Sequence, residues 1–204
     1  MLKIEKITVK TRELIYSDVS YQFECGKMYG IAAVNGSGKT TLFRTMMGLI
    51  PLQSGRITVD GQDIEKKRSR IFYYESFEWL DGNLNGRDYL TFVQSMWHSE
   101  VSAQKVIDYW EMNDFIDVPI RKYSLGMKQR LIIAMYFVSG AKYLIMDEIT
   151  NALDEANRQK LFQSLKTMRD KGRMILLSSH YKEEIQEICD VMLTMRDWSK
   201  YENY

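Results

Sequence analysis

Ala33-Val34-Asn35-Gly36-Ser37-Gly38-Lys39-Thr40-Thr41 is the stretch whose reading decides the fold. It matches the phosphate-loop pattern G-x-x-x-x-G-K-[ST] everywhere except at its first glycine, where Ala33 stands. The chemistry needs small residues, so that consecutive backbone N–H groups can curl around phosphates. Gly36 and Gly38 allow that curl, and Asn35, Ser37 and Thr41 complete the candidate phosphate cradle. Lys39 is placed to reach the β- and γ-phosphates of a nucleotide, and the Thr40 hydroxyl to ligate Mg²⁺. A methyl group at position 33 narrows the backbone choices and crowds the turn.

The flanks support this reading over a chance glycine-rich turn with an exposed lysine. Met28-Tyr29-Gly30-Ile31-Ala32 is a short apolar run of buried-strand type. Leu42, Phe43, Met46, Met47 and Leu49 then recur at helical spacing, and Gly48 and Pro51 mark the stop. Strand, glycine loop and helix together place an anion at a helix N-terminus.

Composition bounds the rest. The 204 residues are most simply one domain with room for a substantial core. Lys+Arg 28 against Asp+Glu 27 leaves a net charge of +1, so no global field argues for nucleic acid. The one local basic run, Lys66-Lys67-Arg68-Ser69-Arg70, reads as a solvated strand entry rather than a binding patch. Cys25 and Cys189 lie far apart, without metal-ligand spacing, as expected of reduced thiols in a cytosolic protein. The N-terminus alternates as a strand does and not as a secretion signal. The longest apolar stretch, 131–141, is too short to cross a bilayer.

Along the chain, β-type alternation is expected over 2–9 and 17–24. Ile57-Thr58-Val59 meets the turn signal Asp60-Gly61, and Ile71-Phe72-Tyr73-Tyr74 is a further strand. From 85 to 138 the period becomes helical. Tyr89, Leu90, Phe92, Val93, Met96 and Trp97 form one stripe, and Val106, Ile107 and Trp110 a second. Leu131, Ile132, Ala134, Met135 and Phe137 form a third, after Gly126. β/α alternation resumes with strands at 143–146, 174–177 and 191–195 and helices at 154–171 and 181–188. A helical insert within an α/β core describes this economically.

Tyr143-Leu144-Ile145-Met146-Asp147-Glu148 is an apolar run ending in two acids. Such a strand delivers carboxylates beside a phosphate loop, Asp147 for Mg²⁺ and Glu148 to orient or deprotonate the attacking water. Taken alone, the pair reads equally as solvated acids at a strand end. Between the two motifs, Tyr123-Ser124-Leu125-Gly126-Met127-Lys128-Gln129-Arg130 precedes a helix. Ser124 and Gly126 either present a hydroxyl and N–H groups to an anion or simply cap that helix.

With Asn151-Ala152-Leu153-Asp154 and Ser178-Ser179-His180, these motifs in this order resemble the ATP-binding cassette (ABC) ATPases over nearly the whole chain. The resemblance implies a P-loop NTPase core with a mixed or parallel sheet, an antiparallel β subdomain at the N-terminus and an inserted helical subdomain. The boundaries expected are a core lobe at 1–76 and 139–204 and a helical subdomain at 77–138. It implies ATP and Mg²⁺ as ligands and a head-to-tail pair of cassettes, homo- or heterodimeric. The phosphate loop of one cassette and the Ser124-Gly126-Met127 signature of the other then enclose each nucleotide. His180 takes the place of the switch histidine, with a hydrogen bond to the γ-phosphate or the attacking water. Without the resemblance it would read as a surface histidine, as His98 does.

Four family positions are altered. Ala33 is one. The adenine-stacking aromatic is absent near Lys10, Thr11 and Arg12, and Tyr16 belongs to a strand. The glutamine that contacts Mg²⁺ falls at Glu75 or Ser76, either of which offers an oxygen ligand. Ile149 replaces the proline after Glu148. Phe77, Trp79 and Leu80 read either as a rim that docks a membrane subunit or as core of the insert.

The expected function is therefore an ATPase, peripheral on the inner face of the cell membrane, that drives separate transmembrane permease subunits, with no nucleic-acid partner. The short chain and its signature resemble small bacterial exporter cassettes. The alternatives are a degenerate ATP-binding half of a heterodimer and a soluble, non-transport cassette ATPase.

Overall fold

The computed structural model describes residues 1–32, 37–179 and 182–194. Its strands are β1 (Leu2–Lys10), β2 (Leu14–Phe23), β3 (Met28–Ala32), β4 (Ser54–Val59), β5 (Gln62–Asp63), β6 (Ile71–Tyr73), β7 (Tyr143–Met146), β8 (Met174–Ser179) and β9 (Val191–Leu193). Its α-helices are α1 (Lys39–Met46), α2 (Ile64–Lys67), α3 (Gly86–Trp97), α4 (Ala103–Tyr109), α5 (Leu125–Val138), α6 (Glu155–Asp170) and α7 (Lys182–Gln186).

The strands form two sheets. One is antiparallel in the order β2-β1-β4-β5, and the other is parallel in the order β6-β7-β8-β3-β9. Each strand of the parallel sheet alternates its side chains between two cores. Tyr143, Ile145, Met174 and Leu176 face the antiparallel sheet and α1, while Leu144, Met146, Ile175 and Leu177 face the helices. Burial on both faces is why β7 is apolar at every position. The Asp60-Gly61 turn closes β4 onto β5 with both residues at positive φ, 50° and 77°, as a two-residue hairpin requires.

The helices between β6 and β7 pack around α5, which is buried on nearly all sides and therefore lacks a polar face. Here one expectation needs correction. Leu90 and Val93 of α3 are buried and Trp97 packs against Phe72, but Phe92 and Met96 are 59% and 54% exposed. A stripe of six side chains is wider than the face that α3 turns to the core. Phe77, Trp79 and Leu80 also divide: Leu80 is buried, Phe77 half-buried and Trp79 52% exposed. The basic run lies in α2 and a 3₁₀ turn rather than in a strand entry. Arg70 is bonded to Asp60 and Arg68 to the Gly48 carbonyl. β2 begins three residues before the expected 17–24, and Tyr16 lies on it as expected.

Candidate nucleotide site

β3, β7 and β8 are adjacent and parallel, so their carboxyl ends open onto one edge of the sheet. Ligands of open α/β sheets sit at such an edge. β3 runs into the phosphate loop, β7 ends at Asp147-Glu148, and β8 ends at Ser178-Ser179.

α1 begins at Lys39 directly after Gly38, whose φ of 94° suits a residue without Cβ. Lys39 is only 5% exposed, and its Nζ lies 3.7 Å from a Glu148 carboxylate oxygen. The Thr40 hydroxyl donates to Asp147 Oδ2 at 2.9 Å. The Ser178 hydroxyl donates to Asp147 Oδ1 and accepts from the Glu148 backbone N–H at 3.0 Å, so one buried serine holds both acids in place. Burial pushes the Asp147 carboxyl up, against the lowering effect of the Ser178 and Thr40 hydrogen bonds. Glu148 has φ of 50°, uncommon for a residue with a side chain, and the Asn151 amide donates to its Oε2 at 3.0 Å. The Gln129 amide on α5 donates to the Ile149 carbonyl at 2.6 Å, tying α5 to the same turn.

Ser76, Asp147, Glu148 and Asn151 line one cavity of about 150 Å³. Of the two candidates for the altered glutamine, Glu75 is already engaged. Its carboxylate receives Arg44 of α1 and the Tyr73 hydroxyl. Ser76 caps a 3₁₀ turn, accepting the Glu78 N–H at 3.2 Å. Ser124 caps α5 by accepting the Met127 N–H at 3.2 Å, while the Met127 sulfur accepts the Ser124 N–H. Neither Ser124, Gly126 nor Met127 lines the cavity with Asp147 and Glu148. Asn35, Gly36, His180 and Ala33 lie outside the described residues.

The residues present fit a nucleotide with its metal. The Ser37 hydroxyl of the loop is buried and has no hydrogen-bond partner among the described residues, an arrangement a phosphate oxygen would satisfy. No group of three His, Cys, Asp or Glu side chains among the described residues could hold a metal by itself. Mg²⁺ is commonly held by one or two carboxylates together with substrate phosphates, and Asp147 stands beside the Thr40 hydroxyl at the loop.

Four roles escape a motif reading: the Ser178 bridge between the two acids, the Asn151 and Gln129 hydrogen bonds, and the contact of Tyr16. Tyr16 is 2% exposed and its hydroxyl donates to the Gly38 carbonyl at 2.7 Å. It braces the phosphate loop from beneath. Its place in a strand that packs under α1 was the available signal.

The fold and this edge define a nucleotide-binding α/β domain of the P-loop type. Residues 16–151 match the family described as ABC transporter, and the chain belongs to that family. Its members are ATP-binding subunits that hydrolyse ATP, generally with Mg²⁺. The chain is 30% identical to the uncharacterized ABC transporter ATP-binding protein YhcH of Bacillus subtilis, matching 93% of this chain and 65% of that one. It is 31% identical to the lantibiotic transport ATP-binding protein SrtF of Streptococcus pyogenes, over 93% of this chain and 84% of that one. It is 30% identical to the Nod factor export ATP-binding protein I of Sinorhizobium fredii, over 87% and 54%. The chain thus spans less than two thirds of the length of two of these relatives. A solved ATP-binding subunit of an ABC transporter superposes with TM-score 0.88 at 22% identity, over 95% of this chain and 85% of that one, and shares the fold. No helix among the described residues is long and apolar enough to cross a membrane.

Proposed function

We propose that this chain hydrolyses ATP as the motor subunit of an exporter whose membrane-spanning part is carried by separate permease subunits. The observation that carries the reading is the convergence of buried Lys39, the Thr40–Asp147 hydrogen bond and Glu148 at one sheet edge. Lys39 and the loop from Asn35 to Thr41 bind the phosphates, and Lys39 offsets charge that builds on the γ-phosphate. Thr40, Asp147 and Ser76 hold Mg²⁺, which when bound neutralises charge on the phosphate oxygens. Glu148, aimed by Ser178 and Asn151, orients the attacking water and takes its proton. His180 is assigned the γ-phosphate contact.

Ser124, Gly126 and Met127 are assigned to the nucleotide of a second cassette packed head to tail, since they do not line the cavity that Asp147 and Glu148 share. Residues 77–138 act as the helical subdomain. Exposed Trp79 contributes to the surface that meets a permease at the inner face of the membrane. The export direction rests on the relative named for Nod factor export.

A binding-only half of a heterodimer is the second reading, favoured by Ala33 in the phosphate loop and by Glu75-Ser76 standing where the family has its glutamine. Light scattering of the Glu148→Gln protein with Mg-ATP tests the two-cassette site. A nucleotide-dependent dimer, lost on Ser124→Arg, is expected. A monomer under every nucleotide condition, with its membrane partner absent or present, overturns it.

A further inference from the structure

A second cavity, of about 450 Å³, lies between α4, the end of α5 and the end of α6. That volume falls within the range of small-molecule sites. It is remote from the nucleotide edge. Arg173 immediately precedes β8, whose opposite end carries Ser178, so the two are roughly 17 Å apart along an extended strand.

Tyr109 and Phe137 form one side, with the fully buried Trp110 packed behind them. Tyr109 and Trp110 meet edge to face with centroids 5.5 Å apart, and Trp110 and Phe137 lie 5.6 Å apart. Val106 and Met168 add aliphatic and thioether surface. The cavity is polarised: Lys105, Lys171 and Arg173 line it, and no carboxylate does.

Two donors at its walls have no protein partner among the described residues. The Trp110 indole N–H is fully buried with no hydrogen-bond partner, a rare condition for a native polar group. The Arg173 side chain has no ion pair or hydrogen bond among the described residues. Burial pulls the guanidinium of this half-buried side chain below the ordinary value. A planar guanidinium in that position matches a carboxylate's two oxygens, and the aromatic walls match a flat apolar body.

We propose that this cavity binds a small aromatic carboxylate, its acid group on Arg173 and its ring system against Tyr109 and Phe137, which the buried Trp110 backs. A ligand there touches α4 and α5 on one side and α6 on the other, and so stiffens the packing of the inserted helices on the core. The site is independent of the nucleotide reading and stands whether or not the chain hydrolyses ATP.

The test uses 1-pyrenebutyrate and its neutral twin 1-pyrenebutanol, followed by energy transfer from tryptophan to pyrene. The expected result is saturable binding of the acid to the wild type, about tenfold or more tighter than the alcohol, the worth of one charge-assisted hydrogen bond. Arg173→Met should bring the acid down to the alcohol's affinity, and Trp110→Phe should remove most of the energy transfer. Binding should persist in saturating ATP. The comparison of acid with alcohol on the wild type needs no variant to fold. Equal affinity for the two, absence of saturable binding, indifference to Arg173→Met in a folded variant, or displacement by ATP would each overturn the proposal.

Discussion

The Tyr16 hydroxyl lies 2.7 Å from the carbonyl oxygen of Gly38, a residue 22 positions later that ends the phosphate loop. The same carbonyl also accepts the Leu42 N–H at 2.9 Å, the first helical bond of α1. Tyr16 thus fixes the peptide that leads into Lys39. Tyr16→Phe keeps the packing and loses one hydrogen bond, worth about 1 kcal/mol. The apparent affinity for ATP should fall roughly fivefold by the same arithmetic, with kcat nearly unchanged. Nucleotide titration and a KM-against-kcat comparison check this. An unchanged affinity would show that the loop holds its shape without the strut.

Ser178 offers a sharper prediction about catalysis. Ser178→Ala removes the bond to Asp147 and the support of the Glu148 N–H together. Outer-shell changes of this kind typically cost about 10–100-fold in activity. Asp147, already raised by burial, loses one of the bonds that lower it. The acidic limb of the pH–rate profile should therefore move to higher pH. A limb that stays in place would remove Ser178 from the positioning of Asp147.

Glu75 links α1 to the end of β6 through Arg44. The Arg44 hydrogen bond, which outweighs the opposing effect of burial and is aided by Tyr73, holds Glu75 below the usual carboxylate range. A depressed folded pKa means that the contribution to stability is present above the unfolded value near 4.5 and is lost as pH falls through the folded value. Because Arg44 is 44% exposed, solvent screening limits the pair to about 1 kcal/mol. Glu75→Gln should be less stable than wild type at pH 7, with the two melting curves converging as the pH is lowered from 5 to 3. A gap that persists at pH 3 would mean that packing, not charge, is responsible.

The substitution in the phosphate loop itself ranks below its lysine. Ala33→Gly should change ATP affinity or turnover modestly, whereas Lys39→Ala removes the buried cation that faces Glu148 and should abolish turnover. Parallel ATPase assays compare them, and equal, severe losses would refute the ranking.

Particular elements show what could be read from the residues. β7 was legible because burial on both faces leaves an unbroken apolar run that can end only in polar groups. The Asp60-Gly61 hairpin was legible because the turn demands positive φ at two residues. The grouping of Lys39, Thr40, Asp147 and Glu148 followed from motif order, and these side chains meet as that order implied. The outward turn of Phe92 and Met96 was not legible, because apolar spacing marks a helix without saying how wide a face its neighbours cover. Nor were the Tyr16 strut, the Ser178 bridge or the Arg44–Glu75 link. Each joins residues at least 22 positions apart, and only the packed sheet brings them together.

Phosphate release from Mg-ATP by the purified protein with its membrane partner, wild type against Glu148→Gln, tests the central claim most directly. Turnover in the wild type with a loss of about 100-fold or more in the variant, while ATP binding is retained, is the result expected of a residue that acts on the attacking water. A wild type no faster than Glu148→Gln would contradict it and leave a cassette that binds ATP without hydrolysing it.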